Sequence, residues 1–141
     1  MEDLKTILSS HHSKNEIDIE HDPNKINEVK LPSSSEIPDL FFDEVLLQYK
    51  LNRIEILVIM NLYRLTWCRP NLHRKYGIAP IISHLELANV LKISNEELYQ
   101  AIRRLENFGF IETIRAGQYF VRKYFTEDND KKYAQSYDNF F

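Results

Sequence analysis

A mainly α-helical fold that closes on a small β-hairpin is what three features of this sequence predict. The segments Ser83-His84-Leu85-Glu86 and Ser94-Asn95-Glu96-Glu97 repeat one helix-start signature 11 residues apart. In each, the serine hydroxyl accepts from an amide of the first helical turn, and the glutamate three residues on accepts from the serine's own amide. Apolar residues then recur at helical spacing through Leu98, Ala101, Ile102, Leu105 and Phe108, and Gly109 supplies the stop. Beyond Gly109 the composition turns to the Ile, Tyr, Phe and Val of strands, on both sides of Ala116-Gly117.

The elements follow in order. Residues 1–38 read as an acidic flexible arm, rich in Ser, Asn, Asp, Glu and Lys and broken by Pro23, Pro32 and Pro38. Leu4, Ile7 and Leu8 form a short amphipathic patch in it, a candidate docking peptide for another protein or a second subunit. From Asp39 to Tyr49, Leu40, Phe41, Phe42, Val45, Leu46 and Leu47 cover more than half of a helical circumference, so this extra helix must pack against something. Asn52-Arg53-Ile54-Glu55 is an asparagine version of the same start signature. It opens the longest helix, apolar nearly all round, which ends near Trp67 because Pro70 forbids its continuation. The linker from Arg69 to Pro80 holds Arg69, His73, Arg74 and Lys75, the densest basic cluster in the chain.

The paired starts leave room for one short helix, His84 to Leu91, a turn at Lys92-Ile93 and a second helix from Asn95 to Phe108. That is a helix-turn-helix arrangement. On a helical wheel, the face of the second helix opposite its apolar stripe carries Glu96, Tyr99, Gln100, Arg103 and Asn107, with Arg104 at the edge. The hairpin is expected from Phe110 to Arg115 and from Gln118 to Phe125. Residues 126–141 read as a polar tail with Tyr133, Tyr137, Phe140 and Phe141, aromatics that dock either on the chain's own surface or on a second copy.

Composition bounds the function. With 141 residues, 43% of them hydrophobic, there is chain for one core. The single cysteine, Cys68, excludes an internal disulfide framework; beside Trp67 it reads as a half-buried residue at a helix end, with redox sensing the lesser reading. No apolar run approaches the roughly 18 residues of a membrane span, and Met1-Glu2-Asp3-Leu4-Lys5 does not resemble a secretion signal, so a cytoplasmic location without membrane contact is expected. His11, His12, Glu16, Asp18 and His21 lack a recognised ligand spacing, and Gly77, Gly109 and Gly117 stand too far apart for a phosphate loop. The expectation is therefore no cofactor, no metal and no enzyme.

The net charge of −3 divides unevenly. Residues 1–44 carry 4 Lys against 11 acidic residues, 45–125 carry 12 Lys and Arg against 6, and 126–141 carry 2 against 4. The central segment is thus +6 between acidic ends, which suits a phosphate-bearing partner because affinity follows local charge.

With these residues in view, the order of central helix, short helix, turn, second helix and hairpin resembles the bacterial winged helix-turn-helix domain. The run LANVLKISNEELYQAIRRLENFGFIE is similar to the pattern in MarR-like regulators and in the amino-terminal domains of plasmid and phage replication initiators. The resemblance covers about residues 40–125. It implies a winged helix with an extra N-terminal helix and flexible ends, and a double-stranded DNA-binding transcription regulator, with a replication-initiator module or a protein-interaction adaptor without DNA binding as alternatives. The chain departs from the pattern at Asn95-Glu96-Glu97, where such helices often begin with Ser, Thr or Arg.

In a helix that enters DNA, Gln100 and Arg103 are the candidates for reading bases, Glu96 accepts from cytosine N4, and Tyr99 shares their face. Phosphates would meet the amides after Ser83, together with Arg69, Arg74, Lys75 and Arg104. The wing would offer Arg115 at its tip, with Gln118, Arg122 and Lys123 along the strand. A homodimer is expected, joined through the Asp39–Tyr49 helix or the aromatic tail, and the N-terminal arm or the tail is the candidate contact for another protein.

Overall fold

The structure, a computed structural model, describes residues 29–140. The chain divides after Ser34, and the second unit, from Ser35 onward, is compact. The Leu4, Ile7 and Leu8 patch and the His11–His21 segment lie outside the described residues. The second unit begins with a π-helical turn, Phe41–Val45, that runs into α1 (Leu46–Gln48). Helix α2 (Arg53–Tyr63) continues into a second π-helical turn, Arg64–Cys68. A 3-10 turn (Arg74–Tyr76), α3 (His84–Leu91), α4 (Asn95–Phe108), β1 (Ile111–Arg115), β2 (Gln118–Val121) and α5 (Glu127–Lys132) follow. The described residues are thus mainly helical with one two-stranded antiparallel sheet.

The helix starts are local events. At Asn52 and at Ser94 both halves of the capping box form: the side chain accepts from the amide of Glu55 at 2.8 Å or of Glu97 at 3.0 Å, and each glutamate accepts from the capping residue's amide at 3.0 Å. At Ser83 only the serine half forms, its Oγ accepting from Glu86 N at 3.1 Å. Lys92 turns the chain in the left-handed region (φ 56°), and Ile93 N closes the turn on Ala88 O at 3.0 Å. Gly109 (φ 82°) ends α4, with Phe110 N donating to Leu105 O at 3.1 Å.

Packing assembles these pieces. Val58, Ile59, Leu62 and Tyr63 of α2 meet Leu98, Ala101, Ile102 and Leu105 of α4, Leu87 and Ala88 of α3, and Phe110, Tyr119 and Val121 around the hairpin. Each large apolar side chain buried there contributes about 1.5–3 kcal/mol before chain entropy is counted. The first helical segment uses a narrower stripe than its sequence predicts. Phe41 and Val45 are buried, with Phe41 against Phe125 at 5.1 Å, but Phe42 and Leu47 remain 51% and 67% exposed.

The hairpin pairs Ile111 with Val121, Glu112 with Phe120, Thr113 with Tyr119 and, across an irregularity, Arg115 with Gln118. The second strand ends at Val121 instead of reaching Phe125. Phe125 N donates to Arg122 O at 3.3 Å and Phe125 adopts φ 76°, a turn that swings its ring into the core beside Tyr63. Along the other edge of β2, residues 77–82 run extended: Ala79 N donates to Tyr119 O, Val121 N to Gly77 O and Ile82 N to Gly117 O, at 2.9, 2.7 and 2.9 Å. Gly77 is required there. Its φ is 72°, and a Cβ would meet Phe120 and Tyr137 at 2.7 and 2.9 Å.

Residues 126–140 lie against the chain's own surface, one of the two outcomes expected for the aromatic tail. Thr126 caps α5, and residues 133–140 fold back over the linker and the base of the hairpin, because their aromatic side chains find apolar surface there. Among the described residues, no helix is long and apolar enough to cross a membrane.

Candidate nucleic-acid interface

Helix α4 sets the geometry, because burying one face forces the other into solvent. Leu98, Ala101, Ile102 and Leu105 are buried, while Glu96, Tyr99, Gln100, Arg103, Arg104 and Asn107 are exposed, as the helical wheel predicts. The outer side chains engage one another a turn apart. Gln100 Nε2 donates to Glu96 Oε1 at 3.0 Å, and the Arg103 guanidinium lies 5.8 Å from the Tyr99 ring centroid. Bidentate reading of adenine by Gln100 would therefore require it to leave Glu96. Arg103 forms no ion pair among the described residues.

Arg104 faces the other way. Its Nε donates to Glu55 Oε2, and Glu55 Oε1 accepts from Asn52 N. The carboxylate is only 1% exposed although the arginine side chain is 56% exposed. Desolvating Glu55 is costly, and these two donors offset the cost. Arg104 is thus engaged in the fold, with only its outer edge available to a phosphate.

In the linker, Arg74 Nη2 donates to Arg69 O at 2.8 Å, Arg69 Nη1 to Cys68 O at 3.4 Å, and Lys75 Nζ stands 5.0 Å from the Tyr76 ring centroid. The structure brings these three cations into one loop, pinned by Asn71 Nδ2 donating to Thr66 O and Ile78 O at 3.2 and 2.8 Å. The Ser83 hydroxyl is occupied by Glu86 N, so the start of α3 offers an anion its backbone amides.

Three of the hairpin expectations need correction. Gln118 lies on β2 as expected but is only 2% exposed, so it offers no surface to a partner; its Oε1 instead accepts from Arg115 Nε at 3.0 Å and steadies that exposed arginine. Arg122 is past the end of β2, where Nη1 donates to Asp130 Oδ2 at 3.1 Å and Nε to Gly109 O at 3.2 Å, so it is not a free wing cation. Lys123, also beyond the strand, sets its Nζ 5.6 Å from the Trp67 centroid and 5.9 Å from that of Tyr124.

Three residues organise this region, of which the sequence reading singled out Glu55 only as a cap and Tyr137 only as a docking aromatic, and passed over Asp130. Glu55 was legible only as half of a capping box, although a carboxylate inside an apolar helix already calls for a cation. Asp130 is 3% exposed: Oδ2 accepts from Arg122 and, at 2.6 Å, from Tyr137 Oη, and Oδ1 accepts from Tyr124 N at 3.1 Å. Tyr137 Oη also accepts from Lys123 N at 2.8 Å. Burial, then the Asp130 hydrogen bond, pushes the Tyr137 phenol far up; burial does the same to Tyr63. Tyr119, whose hydroxyl contacts His84 Nε2, is pushed up to about 12 by burial and then by Glu106.

Cys68 Sγ donates to Glu36 O at 3.2 Å, and the described residues bring no three His, Cys, Asp or Glu side chains together as a metal site. Comparison with protein-family models, curated proteins and solved structures gives no match.

Proposed function

We propose that the chain is a double-stranded DNA-binding protein, a transcription regulator built as a winged helix-turn-helix. The order of elements supports this reading: α2, the extended residues 77–82, α3, a three-residue turn, α4 and the β1–β2 hairpin occur in the sequence such a domain uses. The observation that carries it is the outward face of α4, where Arg103, Gln100 and Tyr99 are exposed on a helix anchored by four buried residues. In a major groove, Arg103 would donate to guanine O6 and N7 or to phosphate, and Glu96 would accept from a cytosine amino group. Arg115 at the hairpin turn would reach a second groove or the backbone, and Arg74 and Lys75 would neutralise phosphates.

Fluorescence anisotropy with random and genomic duplexes across a salt series tests the proposal. Binding that weakens steeply with salt, and weakens further in Arg103→Ala, is the expected result. Absence of binding at low salt would leave a protein-interaction adaptor. That second reading is favoured by the acidic leading edge of α4 and by the internal engagement of Arg104 and Arg122, which reduces the free positive charge of the face.

A further inference from the structure

The C-terminal segment lies in a groove that it fills closely. Tyr137 sets its ring edge-on to Phe120 at 4.7 Å and tilted to Trp67 at 6.2 Å, and Gly77 leaves the space for it. Three residues on, Phe140 sits edge-on to His73 at 5.7 Å and to Tyr76 at 5.2 Å. Between the two rings Asp138 N donates to Lys75 O at 3.0 Å. Two aromatic anchors, a backbone bond and the Tyr137 hydroxyl on Asp130 and Lys123 make up a complete docking module.

The connection into this module is short and strained. Residues 133–136 join α5 to the docked segment, and Tyr133, Ala134 and Ser136 are exposed. Ala134 holds φ 55°, a left-handed conformation that its Cβ disfavours. It is kept there by Ala134 N on Lys131 O at 3.2 Å and Gln135 N on Asp130 O at 2.7 Å. Straightening the hinge relieves that strain, and a strained short hinge favours exchange of an element between copies.

We propose that the groove also takes the C-terminal segment of a second copy of this chain, Tyr137-Asp138-Asn139-Phe140 of each copy seating in the other to form a dimer. Exchange needs no new complementarity, because every docked contact is the one already made within a single chain. The closed form competes through the high effective concentration of a tethered segment, so the dimer gains at high protein concentration. A four-residue hinge spans at most about 14 Å when extended, which places the two copies in direct contact.

The test is a disulfide trapped in the full chain carrying Cys68→Ser. Tyr76→Cys in one copy is mixed at high concentration with Phe140→Cys in another, and both substitutions in a single copy serve as the control for folding and docking. The expected result is a mixed disulfide dimer under mild oxidation, with a yield that falls about fivefold or more when Ala134→Gly removes the hinge strain. The proposal is overturned if the control closes within its own chain while the mixture gives no dimer. It is equally overturned if the mixed yield ignores Ala134→Gly, or if light scattering of the unaltered chain shows a monomer up to millimolar concentration.

Discussion

The outward face of α4 and the region where the C-terminal segment docks carry similar residues, Tyr99 and Arg103 on one, Arg122, Lys123 and Tyr137 in the other, yet they are built differently. On α4 the polar partners lie one turn apart in solvent, as in Glu96 with Gln100, and such pairs contribute about 0.2–0.5 kcal/mol. Under the C-terminal segment a buried carboxylate, Asp130, gathers donors from Arg122, Tyr124 and Tyr137. Burial of the acid decides which arginines are structural. Arg104 and Arg122 serve Glu55 and Asp130, while Arg103, Arg115, Arg74 and Lys75 keep exposed side chains.

The largest break in this contrast is expected from Asp130→Ala, which strands Tyr124 N, the Tyr137 hydroxyl and Arg122 at once. Urea denaturation should show a loss of about 3–4 kcal/mol; a loss below about 1 kcal/mol would mean the network is not the anchor of the segment.

Alkali should act next, through the buried tyrosines. The unfolded chain releases phenolic protons near pH 10, whereas folded Tyr119 holds its proton to about 12 and Tyr63 and Tyr137 hold theirs longer. Between those values the unfolded state binds fewer protons, so stability is full below about pH 10 and falls as pH rises toward 12. Urea midpoints at several pH values check this, and Tyr119→Phe should flatten the fall.

Glu55→Ala should cost about 2 kcal/mol, since it removes the acceptor of Asn52 N and the partner of Arg104. Ser94→Ala should cost about 1 kcal/mol and Ser83→Ala about half of that, because only Ser94 belongs to a complete box. Arg103→Ala should change stability by less than about 0.5 kcal/mol yet weaken DNA binding by about 1–3 kcal/mol. If it destabilises the fold instead, the Arg103 side chain is part of the packing and the outer face of α4 is not free.

Sequence alone determined the helix boundaries around Lys92, the stop at Gly109, the buried and exposed faces of α4 and the existence of the hairpin. Each of these follows from side chains acting within four residues or from a period that one element repeats, so local chemistry is enough. It could not tell that Gln118 is buried, that β2 stops at Val121, that only one stripe of residues 39–49 packs, or that Asp130 is a hub inside a polar tail. Those outcomes depend on partners distant in the chain: Phe125 turning into the core beside Tyr63, Glu55 finding Arg104 from 49 residues away, and Tyr137 finding Asp130, Phe120 and Trp67. Tertiary structure decided which charges are spent inside the fold and which remain on its surface, because only burial makes a carboxylate demand its own cation.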